Sequence, residues 1–368
     1  MRNTCLGPPP PPTEVTFAVT SACNLRCRMC GQYGDAAGPP PPRVELSLND
    51  VRRVVDEVTA ATSGAGFFFW GGEPMLWPHL TAACRHARDR GAYVDINTNG
   101  TRLARLAAEV AEAEPDAIYL SLDGCDQASC DAIRGRGTFG KAMAGAAALL
   151  KARGAGARPR LHVVCTVLAS NHALLAKMAP LARDMGVDGL VVQFPVYVTP
   201  AWGGQAEDAY ERLFGVRLRS WRFFNHPHLR NELDTSVLVE QLTALEADSA
   251  GFELLVTPYG YPPRKLGDYF NDGAWRNHTR HARCSKIHFR VNIMPDGSVS
   301  PCGDFTEFVC GNIKQDALLS IWQGERYQRF REVIGCGILP NCYRCCELFD
   351  GRERDLAPAP VASQSPTK

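Results

Sequence analysis

Between residues 14 and 194, short apolar runs alternate with segments of helical period six times over. The runs fall at 14–20, 67–70, 93–96, 117–122, 161–168 and 189–194 and are rich in β-branched and aromatic residues, as strands are. Ser47 stands where it can cap a helix carrying Val51, Val54, Val55 and Val58 on one face. Further helical stretches are read near 78–90, near 102–113, up to Lys151 and near 172–185. Such alternation predicts a parallel sheet with right-handed crossovers, because each helix returns the chain to the same end of the sheet. The fold class is α/β, and the spacing fits an open, partial (β/α)6 barrel over 14–199. In such sheets the carboxyl ends of the strands carry the chemistry.

The first of those ends carries Cys23, Cys27 and Cys30, spaced C-x3-C-x2-C. Thiolates are soft ligands for iron–sulfur clusters or zinc, and three protein ligands leave one coordination position open for a fourth group. A zinc knuckle would supply a fourth Cys or His within a few residues, whereas the nearest downstream histidine is His79. The other strand ends are polar or glycine-rich. Gly71, Gly72, Glu73 and Pro74 follow the second, Asn97 and Asn99 close the third, and Ser121 and Asp123 close the fourth. Glycines admit a ligand close to the backbone, and Glu-Pro fixes a turn. An Asx turn capping the next helix is the alternative role for the two asparagines.

Fifteen cysteines are uneven in their distribution: seven lie between 284 and 346, while Cys5, Cys84, Cys125, Cys130 and Cys165 are scattered and read as small buried hydrophobes or inert thiols. No apolar run of 18 residues occurs, and the proline tract leaves no room before it for a signal-peptide core. The expected location is the cytoplasm, with no membrane partner, where reduced thiols favour metal binding over disulfides. Lys plus Arg number 40 against 39 Asp plus Glu, so no global field argues for nucleic acid.

Residues 1–13 hold five consecutive prolines and read as a polyproline II tail outside the fold. Residues 200–283 carry many aromatics with weak periodicity and read as a connecting subdomain with its own small core, part of which lines a substrate pocket. Within 284–350, Asp296-Gly297 between Ile293 and Val299 predicts a hairpin. Residues 351–368 are rich in Pro, Ala and Ser and read as disordered.

The C-x3-C-x2-C loop, followed by Gly71 to Pro74 after the second strand, resembles the radical S-adenosylmethionine (radical SAM) enzymes. The resemblance implies that Cys23, Cys27 and Cys30 hold a [4Fe–4S] cluster whose open iron binds AdoMet. It assigns the Gly71, Gly72, Glu73 and Pro74 backbone to the AdoMet amino group, Ser121 and Asp123 to ribose, and Arg134 to the neighbourhood of the AdoMet carboxylate. Asn97 and Asn99 join them as cofactor-binding candidates. Cys284, Cys302, Cys342 and Cys345, with Gly311-Asn-Ile and Trp322 between them, are similar to the SPASM or shorter twitch extension of that family. They imply one closed auxiliary [4Fe–4S] cluster, with a zinc ribbon as the alternative. Cys310, Cys336 and Cys346 depart from the spacing that a second auxiliary cluster would need.

By this resemblance the enzyme cleaves AdoMet to methionine and a 5′-deoxyadenosyl radical that takes hydrogen from a substrate C–H, with electrons from a flavodoxin- or ferredoxin-type donor. The expected reaction is dehydrogenation or epimerisation of a small natural-product intermediate, aminoglycoside- or aminocyclitol-like. If epimerisation, Cys165 is the first candidate to return hydrogen. The alternatives are a peptide- or protein-modifying maturase and, in another class, a non-catalytic iron–sulfur sensor or electron carrier.

Overall fold

The structure, a computed structural model, describes residues 9–34, 41–225, 229, 233–258, 266–271 and 284–348. The six expected strands form: β1 (Glu14–Ala18), β2 (Gly66–Trp70), β3 (Tyr93–Thr98), β4 (Ala117–Ser121), β5 (Arg160–Thr166) and β6 (Gly189–Gln193), paired parallel in chain order. Between and after them run α1 (Leu48–Ala61), α2 (Leu80–Arg88), α3 (Leu103–Ala113), α4 (Gln127–Arg134), α5 (Thr138–Arg153), α6 (Met178–Met185) and α7 (Pro200–Phe214). Ser47 caps α1, its side chain accepting from the Asp50 N–H at 3.1 Å, and Val51, Val54, Val55 and Val58 are buried against the sheet.

The sheet does not stop at six strands. β7 (Glu253–Thr257) adds to β6 in parallel, and β8 (Arg290–Ile293) adds in parallel to the other edge, beside β1. The Asp296-Gly297 hairpin forms as expected between β8 and β9 (Ser298–Ser300), and β10 (Gly311–Asn312) completes the order β10-β9-β8-β1-β2-β3-β4-β5-β6-β7. The fold is thus an open mixed α/β sheet, not a closed barrel. Strands 1 and 6, buried on both faces, would otherwise leave unpaired ladder groups at a wet edge. The remaining helices are α8 (Thr235–Ala247), α9 (Leu266–Asn271), α10 (Leu318–Gln323) and α11 (Glu325–Cys336). Among the described residues, no helix is long and apolar enough to cross a membrane.

Alternation sorts the strand residues into two faces. Phe17, Phe67, Phe69, Val94, Ile96, Ile118, Leu120, Leu161, Val163 and Cys165 join the helix-covered core, where Phe17 stacks on Phe69 with ring centroids 5.5 Å apart. The inner face carries Thr16, Phe68, Trp70, Asn97, Tyr119, His162 and Gln193, and Tyr119 stacks on His162 at 5.3 Å.

Two expectations need correcting. Among the described residues, the aromatic stretch after residue 200 does not form a core of its own. Trp202, Tyr210 and Trp221 share a second core with Ile287, Phe305, Phe308 and Phe330, and Phe214 meets Phe308 at 4.6 Å. Its helix buries too few apolar side chains alone, so it packs with the cysteine-rich segment. The proline tail is also tied in at its end. The Trp322 indole, buried in the core, takes the Pro10 carbonyl as its acceptor at 2.8 Å, and the Thr13 N–H donates to Phe289 O at 2.9 Å. The expected disorder of 351–368 lies outside the described residues.

Candidate functional site

Beyond β1 the chain turns under itself, and the turn is fastened to the ends of β2 and β3. The Gly72 N–H donates to Thr20 O at 2.9 Å, and the Glu73 N–H donates to Ala22 O at 2.8 Å. Gly71 has φ +133°, and a Cβ on Gly72 would stand 2.1 Å from Ala22 O, so neither position accepts a side chain. Glu73, 1% exposed, is the hub. Its carboxylate accepts from Thr98 Oγ1 at 2.7 Å, from the Asn99 N–H at 2.7 Å and from the Met75 N–H at 3.0 Å. Burial raises its pKa against the pull of those donors. Asn99 donates to Asn24 Oδ1 at 3.0 Å, and Asn24 donates to Thr101 Oγ1 at 2.8 Å, which joins β3 to the cysteine loop. Asn99 Oδ1 also accepts from the Thr101 N–H at 3.0 Å, which is an Asx turn.

The three thiols line this loop. The Leu25 N–H donates to Cys23 Sγ at 3.5 Å and the Tyr33 N–H to Cys30 Sγ at 3.3 Å. Cys27 Sγ lies 3.9 Å from Arg134 O, and the Arg28 N–H donates to Ile133 O at 2.8 Å, so the end of α4 closes one side. Burial pushes the Cys23 thiol up to about 11 and the Cys27 thiol up to about 12, the nearby Arg134 charge opposing the latter. Bound iron would displace these protons and keep the thiolates.

Arg134 and Asp123 are both buried and form an ion pair, Nε to Oδ2 at 2.7 Å. Neither atom has a well-aligned hydrogen-bond partner among the described residues. Asp123 Oδ1 accepts from the Thr166 N–H at 2.8 Å. The carboxylate expected to meet ribose is therefore engaged by Arg134 and β5, and among the expected ribose contacts the Ser121 hydroxyl remains. Asn97 is half-buried on the inner face, one strand from Tyr119. Cys165 is a correction. It is 1% exposed on the helix-covered face with Leu161 and Val163, and it accepts from Asn171 Nδ2 at 3.8 Å. A side chain on that face does not meet a ligand above the sheet.

The second group comes together from three segments. Cys342 lies within electrostatic reach of Cys284 and Cys345, and Cys302 within reach of Cys342 and Cys345. Burial, then its neighbour Cys345, pushes the Cys284 thiol up to about 11. Burial also raises Cys302 and Cys342. Cys346 packs beside Cys345 and accepts from Gln193 Nε2 at 3.6 Å, which sets this group above the carboxyl end of β6. Cys310 is half-buried near Arg326 and Arg331, and Cys336 is exposed.

The donor sets suit iron–sulfur clusters. Both are thiol-only, and the backbone of the first loop packs directly on the Gly71-Gly72 pair. Among the described residues, no three His, Cys, Asp or Glu side chains converge as ligands of one ion would. A cluster gives each thiolate its own iron, so its ligands stand apart. Sequence reading passed over Asn24, Thr98 and Gln193. Their signal lay in position alone, at or beside the strand ends.

The radical SAM superfamily model matches residues 17–168, and a model of the SPASM iron–sulfur cluster-binding domain matches 284–346. The chain is 24% identical to a tungsten-containing aldehyde ferredoxin oxidoreductase cofactor-modifying protein of Pyrococcus furiosus, over 89% of this chain and 85% of the relative. It is 26% identical to a pre-heme d1 synthase of Dinoroseobacter shibae, over 85% of this chain and 74% of the relative. Among solved structures, Streptococcus suis SuiB bound to the precursor peptide SuiA shares the fold. Its TM-score is 0.61 at 14% identity, over 91% of this chain and 71% of SuiB.

Proposed function

We propose, from the chain's membership of the radical SAM superfamily with a SPASM-type cluster domain at residues 284–346, that it oxidises a C–H position of its substrate by two electrons. When bound, the AdoMet-carrying [4Fe–4S] cluster supplies the reductive cleavage of AdoMet and the hydrogen abstraction that follows. Cys23, Cys27 and Cys30 hold it, and Gly71, Gly72 and Pro74 present backbone to AdoMet. Glu73 keeps that backbone fixed, because its carboxylate is spent on Thr98, Asn99 and Met75. Ser121 and Asn97 supply polar contacts from the inner face. Cys284, Cys302, Cys342 and Cys345 hold one closed auxiliary cluster, whose chemistry is one-electron transfer.

The observation that carries oxidation over epimerisation is the orientation of Cys165. With its thiol in the helix-covered core, the barrel cysteine cannot return hydrogen to a substrate above the strand ends. Removing a hydrogen atom, then an electron and a proton, leaves a product two hydrogens lighter.

The substrate we favour is a peptide. SuiB, whose fold this chain shares over 91% of its length, holds a precursor peptide. The edge strand β7 is partly exposed along its length, which suits an added extended segment. A small-molecule substrate is the second reading, supported by the cofactor-modifying and synthase relatives that align over most of the chain. The test is anaerobic incubation with AdoMet and dithionite, measuring 5′-deoxyadenosine and product mass. Loss of two hydrogens from a peptide supports the reading. An isomer of unchanged mass that carries solvent deuterium contradicts it.

A further inference from the structure

Asn341 is 1% exposed, and neither its Nδ2 nor its Oδ1 has a well-aligned hydrogen-bond partner among the described residues. The other buried side-chain atoms in that condition belong to charged residues, among them the paired Asp123 and Arg134. Folded proteins seldom leave a buried neutral amide in this state, so the group points to something it serves.

Its place narrows what that is. Asn341 immediately precedes Cys342, in a single turn of 3-10 helix over Pro340–Cys342. Tyr210, also 1% exposed, comes from α7 to meet the Asn341 side chain, and the same phenol lies within electrostatic reach of Cys342 and Cys302. Tyr210 and Leu339 belong to the second core, and Cys302 and Cys342 pack against it. The amide, the phenol and two thiols of the second group therefore share one buried neighbourhood. The turn is also held in place. The Cys342 N–H donates to Leu339 O at 2.8 Å, and Tyr343 meets Trp202 edge-on with ring centroids 5.5 Å apart. A donor fixed in this way needs little reorganisation when the charge on its acceptor changes.

We propose that the Asn341 amide donates an N–H···S hydrogen bond to the auxiliary cluster, with Tyr210 positioning the amide, and so raises the potential at which that cluster takes up an electron. The inference rests on Cys284, Cys302, Cys342 and Cys345 holding that cluster. Reduction adds one negative charge to the cluster, and a donor aimed at its sulfur stabilises the reduced form over the oxidised one. The electron is the one that the substrate radical gives up as it loses a proton to water, so Asn341 favours formation of the oxidised product.

The experiment uses the full-length Cys23→Ala/Cys27→Ala/Cys30→Ala protein loaded with iron and sulfide, so that the auxiliary cluster alone is observed. Added to it, in separate proteins, are Asn341→Leu, Asn341→Gln and Tyr210→Phe. Two quantities are read: the redox midpoint, by potentiometry with electron paramagnetic resonance detection, and the coupling of exchangeable protons to the cluster, by electron–nuclear double resonance after transfer to D2O. Asn341→Leu keeps the size of the side chain without a donor. It should lower the equilibrium constant for reduction about tenfold, about 59 mV for one electron, and lose an exchangeable coupling. Asn341→Gln keeps the donor and should stay closer to wild type in both quantities, and Tyr210→Phe should shift the midpoint in the same direction as Asn341→Leu by less. If Asn341→Leu takes up no cluster, Asn341→Ala is read in its place, with the same shift and loss expected. An unchanged midpoint overturns the proposal, because the amide then serves only Tyr210 or a buried water. A shifted midpoint with every exchangeable coupling retained also overturns it, because the side chain then acts through packing. If the protein with Asn341 intact gives no [4Fe–4S] signal, the assignment of the second thiol group fails and the proposal falls with it, a result distinct from the other two.

Discussion

Gly303 lies against Trp70: a Cβ on Gly303 would stand 3.7 Å from the indole Cζ2 and 3.0 Å from Asn292 Oδ1. Gly303 follows Cys302, and Trp70 precedes Gly71, so this neighbourhood brings the second thiol group beside the glycine loop proposed to meet AdoMet. Asn292 cannot yield easily, because its Oδ1 accepts from Thr16 Oγ1 at 2.6 Å and its Nδ2 donates to Ser300 O at 3.2 Å.

Gly303→Val should therefore cost about 1–3 kcal/mol by overpacking and push the two groups apart. The expected signature is a higher ratio of 5′-deoxyadenosine to product, measured together with thermal unfolding. An unchanged ratio would mean that the contact does not set the geometry between the groups.

The Asp123–Arg134 pair should behave as a buried ion pair. Asp123→Ala leaves a buried guanidinium unpaired and should cost about 3–5 kcal/mol, while Asp123→Ala with Arg134→Met should recover much of it. Urea unfolding of the single and double variants reads the difference. Equal losses in both would show that the charge is not what is being compensated.

Asp95 gives a pH dependence. Burial, then the neighbouring Asp116 and Glu14 charges, raises its pKa from 3.8 to about 7. The folded state then holds a proton that the unfolded state has lost, so stability falls as pH rises from 3.8 to about 7 and levels off above that. The span is worth about 2–4 kcal/mol at most. Asp95→Asn should flatten this slope and stabilise the protein at pH 8, read by denaturant midpoints across that range. A slope unchanged by the substitution would remove Asp95 as its source.

What the sequence disclosed follows from how local each signal is. β1 to β6, the cap at Ser47 and the Asp296-Gly297 hairpin rest on neighbouring residues, and they stand where period and turn chemistry put them. β7 and the β1–β8 pairing were not legible. Glu253–Thr257 is a short strand in an aperiodic stretch, and no local pattern tells Arg290–Ile293 which edge it will join. The orientation of Cys165 was legible in principle. Leu161, Val163 and Cys165 share one face at period two, and that apolar face is the one packed on helices. Asp123 meeting Arg134 depends on how the end of α4 folds back onto the segment after β4, which only tertiary structure supplies. The thiol sets needed the fold as well, since Cys284, Cys302 and Cys342 come together from distant segments.

Cys302→Ala should separate the two halves of the chemistry. With the first thiol loop untouched, AdoMet cleavage should continue while oxidised product is lost, and iron should fall from about eight to about four per chain. Cys302 is a better probe than Cys345, whose neighbour Cys346 stands ready as a substitute ligand. Full product from a folded Cys302→Ala protein would remove the auxiliary group from the reaction.

The most direct measurement is the electron paramagnetic resonance spectrum of the reduced protein, with and without AdoMet, in wild type and in the Cys23→Ala/Cys27→Ala/Cys30→Ala variant. Wild type should give two [4Fe–4S] signals, one of which shifts on adding AdoMet. The triple variant should lose that signal and keep the other, unchanged by AdoMet. A wild-type spectrum in which AdoMet shifts neither signal, or a triple variant that still responds to AdoMet, would contradict the assignment of an open cluster to Cys23, Cys27 and Cys30.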